Sequence, residues 1–473
     1  MEPILREKPD TLKGKLQRGH GAGYLEAIQT SRNDVSAILI DCICNDARLD
    51  RQFDSRSRYY ASLVIKTRTD ISCISEYLRQ HDDFRLNNGN MLGVLLILSI
   101  LGDLASKGNC NAVQILRDYI LYGYNWCCAV SALVETKERK TLEEIDRAIC
   151  CRYKNDDDLI KAIDAQYYVD MDFFDFMRQS NTRLAKIANA PIFEDWNPNT
   201  PETENNDDVD YAEMSLKEAF DRCDENNRIR IARYLEPKLT KEDVPFLGKI
   251  INSGTDCQKA IAAYCMGEIG TVESFSCLKD FIEDISLNLP ENASFEQRSK
   301  CGQAIRKVAH APAEVCLETG RKWFYSDNYP ENAAGRMILE KHAAIDDIPM
   351  LKRAIVDSLE NEEKHAYRLC SAIDALGNFE DIGLIPEVEQ AYHEAIDSHA
   401  RRRAAETMCI NAPVEFSATY AYECLYDCEG GTRLIGIEMV NIAEPGAYQR
   451  LSELAEDSLE DEDVRTGARE RLS

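Results

Sequence analysis

An apolar anchor recurs through the second half of the chain at the spacing of one helical hairpin. Leu235, Met266, Val308, Leu339, Leu376, Met408, Met439 and Leu472 follow one another at intervals of 31, 42, 31, 37, 32, 31 and 33 residues. Four residues before them stand Ile231, Ala262, Ala304, Gly335, Ala372, Ala404, Ile435 and Ala468, of which six are Ala or Gly and so admit a close helix neighbour. Twelve residues after the first seven anchors come Leu247, Leu278, Gly320, Leu351, Val388, Tyr420 and Leu451. Positions i and i−4 share a helix face, and i+12 falls beyond a short turn on a returning helix. One such pair cannot bury its own apolar stripe, so neighbours must stack. The pattern predicts an all-α fold, an α-solenoid or superhelix of stacked antiparallel helix hairpins.

The same register returns upstream. Leu101 and Leu133 are 32 residues apart, with Ile97 and Ala129 four earlier and Val113 and Ile145 twelve later. Four regions follow. Residues 1–85 are an N-terminal helical region that fits the repeat poorly, and residues 86–190 are an N-terminal helical block. Residues 191–215 hold Pro191, Pro198 and Pro201, eight acids and no Lys or Arg, and read as an acidic linker or loop. Residues 216–473 are the regular array. It closes on Glu453–Asp463, seven acids in eleven residues, as an acidic C-terminal cap.

The nearly apolar run Met91–Leu101 is too short to span a bilayer and predicts a buried helix, so no membrane is expected. Met1–Asp10 mixes acids and bases without an apolar signal region, and the expected location is cytoplasmic. The formal net charge of −27 argues against nucleic acid as a partner, because a phosphate backbone needs a positive stripe. There are 18 cysteines but no CxxC, and only seven histidines, so zinc-ligand spacing is missing; neither metal nor cofactor is predicted. Cys265, Cys301, Cys370 and Cys409 fall within helical apolar patterns as small core residues. Cys424 and Cys428, one helical turn apart, are the remaining candidates for metal or redox chemistry. In Arg18-Gly19-His20-Gly21-Ala22-Gly23-Tyr24, the alternating glycines suit either an anion-binding nest or simply a turn that starts the first helix.

Ala260-Ile-Ala-Ala-Tyr-Cys-Met-Gly-Glu-Ile-Gly270 and Ala372-Ile-Asp-Ala-Leu-Gly377 resemble the first-helix ends of HEAT repeats, in particular the short type of the phycobilisome-lyase group. Arg401-x-x-Ala404 and Val464-Arg465-x-x-Ala468 resemble the Arg-x-x-Ala step of that helix. The likeness covers residues 216–473 well and 86–150 more loosely, and the whole chain resembles bacterial HEAT-repeat proteins. It implies a non-catalytic scaffold, adaptor or regulatory subunit that grips a protein or peptide on its concave face; the acidity suggests a basic partner. The alternatives it implies are a bilin-lyase-like or other ligand-modifying enzyme and, against the charge balance, a HEAT-like DNA glycosylase. No residue stands out as catalytic. The candidate contacts are the basic triplet Arg401, Arg402 and Arg403 and the aromatics Tyr122, Tyr124 and Trp126. A second aromatic group, Tyr167, Tyr168, Phe173, Phe174 and Phe176, accompanies them.

Overall fold

The computed structural model describes residues 6–48, 55–81, 91–136, 139–166, 178, 183–188, 214–224, 227–290 and 301–473. Among them every regular element is a helix, and many helices pack in pairs. No helix among the described residues is long and apolar enough to cross a membrane. The chain divides into two compact units, one made of Met1–Pro201 together with Gln390–Ser473, the other of Glu202–Glu389. Residues of the regular array therefore contribute to both.

In the Glu202–Glu389 unit, anchors and turns alternate. The helix Asp256–Ile269 starts at a capping box between Thr255 and Gln258 and stops at Gly270, whose φ of 60° suits glycine. Thr271 at once caps the returning helix Val272–Asn288. Met266 and Ala262 on the first helix are fully buried, as is Leu278 on the second. The first helices pack each on the next: Arg228–Leu235, Asp256–Ile269, Gly302–Val308, Tyr329–His342 and Glu362–Leu376. The small residues set the approach. A Cβ on Gly335 would lie 2.5 Å from the backbone nitrogen of Phe324, on the partner helix Ala313–Phe324. Replacing Val308, 1% exposed, by alanine should cost about 2 kcal/mol through lost burial and an unfilled cavity. The same truncation at Leu287, 84% exposed, should stay within about 0.5 kcal/mol in urea unfolding.

In the other unit, Gly21–Gln29, Arg56–Thr67, Met91–Ser106 and Trp126–Val134 pack in succession. Ile97, Leu98, Ile100, Leu101 and Leu104 bury the apolar face of the Met91–Ser106 helix as its composition predicts. The helices Ser398–Asn411, Gly430–Met439 and Glu462–Leu472 form a second succession. Met408 is fully buried, while Met439 and Leu472 are half-buried. The two successions meet where Gly21–Gln29 packs on the short helix Ala421–Cys424.

The acids of residues 453–463 face bases from the early helices. Arg58 binds Asp461 at 2.6 Å, Lys66 binds Glu453 at 3.0 Å, and Lys107 binds Asp457 at 2.5 Å. Each pair is part-exposed and contributes modestly. Residues 191–213, most of the predicted linker, lie outside the described residues.

Candidate functional site

A group of buried polar side chains lies where residues 12–60 meet residues 392–428 of the same unit. The helix Leu12–Arg18 ends because Gly19 adopts φ 70°, which turns its amide back to Leu16 O and that of His20 to Lys15 O. His20 then caps the next helix, its Nδ1 accepting the Ala22 N–H at 3.1 Å. The amides of Gly19, His20, Ala22, Gly23 and Tyr24 all donate within this turn. The glycine-rich segment thus acts as a helix-to-helix turn, with those donors already engaged rather than presented to an anion.

Its outer surface receives the last part of the chain. The Cys428 amide donates to Gly19 O at 3.0 Å, and Cys428 O accepts the Ser55 amide at 3.1 Å, so this one residue bridges two early segments. Arg56 donates to Gln17 O at 2.6 Å and to Arg18 O at 3.0 Å; Arg18 donates to Glu394 O at 2.8 Å and to Gly14 O at 2.9 Å. These acceptors include the last carbonyls of the Leu12–Arg18 helix, where the helix dipole favours a cation. Tyr59 and Tyr60 donate their hydroxyls to His20 O and Leu16 O. Arg401 completes the knot, pairing with Asp427 at 3.2 Å with both side chains wholly buried.

Behind the turn, His20 meets the edge of Tyr392 at 4.7 Å between ring centroids and stacks on His393 at 5.6 Å. Burial, then the positive charge of Arg401, holds His20 well below the usual imidazole range. Its Nδ1 is an acceptor, so the ring proton sits on Nε2, which has no hydrogen-bond partner among the described residues. Tyr392 donates to Glu423 at 2.9 Å and lies 3.4 Å from Cys424 Sγ. Burial pushes the Cys424 thiol and the Tyr392 hydroxyl well up. A nucleophile needs the opposite shift together with access, so this arrangement suits holding backbone segments rather than attacking a substrate.

Glu423 is the exception that gives a pH signature. Burial, aided by repulsion from Asp427, raises its carboxyl to about 7 against the Tyr392 hydrogen bond. A carboxyl raised above its unfolded value contributes stability that is full below about pH 4.5 and is lost as pH rises through 7. The depressed His20 works the other way, its contribution being present above about pH 6.5 and lost as pH falls below it. Glu423→Gln keeps an acceptor for Tyr392 but removes the charge. The variant should therefore match the parent at pH 5 and exceed it by about 2 kcal/mol at pH 8, a value discounted for partial exposure. Urea midpoints at the two pH values measure this, and a difference that does not change with pH would refute it.

The sequence-predicted contacts fall into two groups. Arg401 is fully buried in the knot and Trp126 is 2% exposed in the core, so neither presents its side chain to a partner. Arg402 bonds Glu406 at 2.9 Å one turn along the helix, and Arg403 is half-buried. Tyr122 lies 4.5 Å beneath the Arg79 guanidinium, and Tyr124 is 43% exposed. The aromatics from Tyr167 to Phe176 lie outside the described residues. Cys424 and Cys428 are buried and take different partners, Tyr392 for the first and Arg401 for the second. Among the described residues no group of three or more His, Cys, Asp or Glu could hold a metal ion.

Sequence reading missed Arg56, Tyr392 and Asp427, and named Arg18 and His20 only as members of the glycine-rich segment, without a role for their side chains. A signal existed for Arg56: Tyr59, Tyr60 and Leu63 follow at +3, +4 and +7, placing its guanidinium on the apolar stripe of its helix. No protein-family model matches the chain, and no curated protein matches it in sequence.

Proposed function

We propose that this chain is a non-catalytic binding scaffold, an α-solenoid of HEAT type that holds a protein or peptide partner along a concave face of its second helices. One observation carries the reading: the positions flanking the repeat anchors are packing positions. All eight residues four before the anchors and all seven twelve after them are buried. The first helices of the Glu202–Glu389 unit pack each on the next. An array built this way spends its apolar residues on its own neighbours and leaves whole helix faces for recognition. The charge of −27 favours a basic partner.

Arg402, Arg403, Tyr122 and Tyr124 are the contact candidates that keep some exposure. The test is capture from native lysate with the full chain as bait, repeated with Tyr124→Ala and with Arg402→Glu/Arg403→Glu. The parent should return one protein at stoichiometric yield. Tyr124→Ala should lower that yield at least several-fold while its urea midpoint moves by no more than about 0.5 kcal/mol equivalent. Repeated return of the bait alone would end the scaffold reading. Undiminished capture by both variants would move the contact surface elsewhere.

A further inference from the structure

One cysteine pair in the Glu202–Glu389 unit is placed for chemistry. Cys223 follows the helix Leu216–Asp221 and is half-buried; Cys257 is the second residue of the helix Asp256–Ile269 and is 7% exposed. Their sulfurs lie 2.9 Å apart. A disulfide bond is about 2.0 Å long, so under one ångström of approach separates contact from bond.

The frame around the pair is tied on both sides. Gln258, next to Cys257, donates to Phe220 O at 2.8 Å, and Phe220 is itself buried in the core. Capping boxes fix the starts of both helices, Ser215 with Glu218 and Thr255 with Gln258. Beyond Cys223, Asp224 and Asn227 exchange backbone-to-side-chain bonds of 2.9 and 3.0 Å, and Asn227 also donates to Arg222 O. Neither backbone can drift without breaking one of these ties.

We propose that Cys223 and Cys257 form a reversible dithiol–disulfide pair that is oxidised by hydroperoxides. Cys223, the more exposed, reacts first. Its thiolate sulfur bonds one peroxide oxygen, the O–O bond breaks, and the departing oxygen leaves as water after protonation, giving a sulfenic acid at Cys223. The Cys257 sulfur then attacks the Cys223 sulfur. The S–S bond forms, the S–O bond breaks, and the hydroxyl leaves as a second water with the Cys257 proton. Two thiols lose two electrons and two protons, and one hydrogen peroxide becomes two waters. An external dithiol reverses the bond by exchange.

The residues joined are 34 apart, and the closed loop contains both the Arg228–Leu235 and the Val244–Ser253 helices. Oxidation therefore staples one whole anchor pair to the next first helix and restricts its local opening.

The test treats the reduced full chain with one equivalent of hydrogen peroxide, blocks remaining thiols with N-ethylmaleimide and maps the unreduced digest. The expected product is a peptide joining Cys223 to Cys257, appearing before any modification of the exposed Cys73, Cys110 and Cys151. Tryptic cleavage at Arg228, Arg230 and Arg233 should slow about fivefold or more on oxidation and recover with dithiothreitol. Cys223→Ser and Cys257→Ala should each abolish the linked peptide and the protection while leaving the reduced protein's cleavage rate unchanged. The proposal is overturned if both thiols alkylate as fast as Cys73 after peroxide, or if Cys223 is recovered as sulfinic acid or joined to another cysteine.

Discussion

Replacing Arg401 by alanine should destabilise the Met1–Pro201/Gln390–Ser473 unit by about 3–5 kcal/mol, the range expected when one partner of a buried ion pair is removed. Both side chains of the Arg401–Asp427 pair are wholly shielded from water. The loss falls less on the attraction between them than on the Asp427 carboxylate, which stays buried without its cation. That carboxylate keeps only smaller compensations, such as the Glu429 amide at 2.9 Å. The effect should also spread to the early helices, because Arg401 lies 3.5 Å from Cys428, whose backbone bridges Gly19 and Ser55. Urea unfolding with hydrogen exchange over residues 12–29 and 56–67 reads both consequences. Adding Asp427→Asn should recover at least half of the loss by removing the stranded charge while keeping an acceptor for Glu429. A single-variant loss below about 1 kcal/mol would show that the pair is dispensable.

Gly21→Ala should be nearly as severe for a different reason. A Cβ there would lie 1.9 Å from the carbonyl oxygen of Glu423 and 2.8 Å from its carbon. Backbone cannot swing aside as a side chain tip can, so the whole Gly21–Gln29 helix must lift from Ala421–Cys424. That separation strains the Tyr24–Tyr426 ring contact at 5.1 Å and the Cys428-to-Gly19 hydrogen bond. A cost of about 3 kcal/mol is expected, at the upper end for overpacking. Gly93→Ala is the matched control. It lies in the Met91–Ser106 helix with nothing within 4 Å of the added carbon, so alanine should be neutral or stabilise by up to about 1 kcal/mol. Equal stability of the two variants would remove the case that the early and late helices depend on this contact.

The all-helical class and the packing positions were legible in the sequence because helix geometry imposes its own spacing. Ala262 and Met266 had to share a face, and Leu278 had to return to it, whatever the rest of the chain did. The knot was not legible in the same way. Its guanidinium groups are satisfied by carbonyls whose positions depend on docking between distant segments, and local pattern carries no sign of that docking. Arginine is also ordinarily an exposed residue, so the triplet Arg401–Arg403 invited a surface reading. The register held a finer clue. Arg401 precedes Ala404 by three and Met408 by seven, on the packed stripe, whereas Arg402 is turned away from it and bonds Glu406. Trp126 is similar: an aromatic cluster reads as a groove until its ring proves to be core, with Arg152 5.8 Å from it.

The bond from Arg18 to Glu394 spans 376 residues, and its timing matters during synthesis. At about 5–20 residues per second, a ribosome delivers Glu394 on the order of 20–80 s after Arg18. Through that interval Tyr24 lacks its ring contact with Tyr426, and His20 lacks those with Tyr392 and His393. Neither the early helices nor Ser398–Asn411 can complete this unit alone, so its closure waits until the late helices have been synthesised. Conditions that slow elongation, or that reduce chaperone capacity during it, should lower the yield of folded protein far more than its equilibrium stability would suggest.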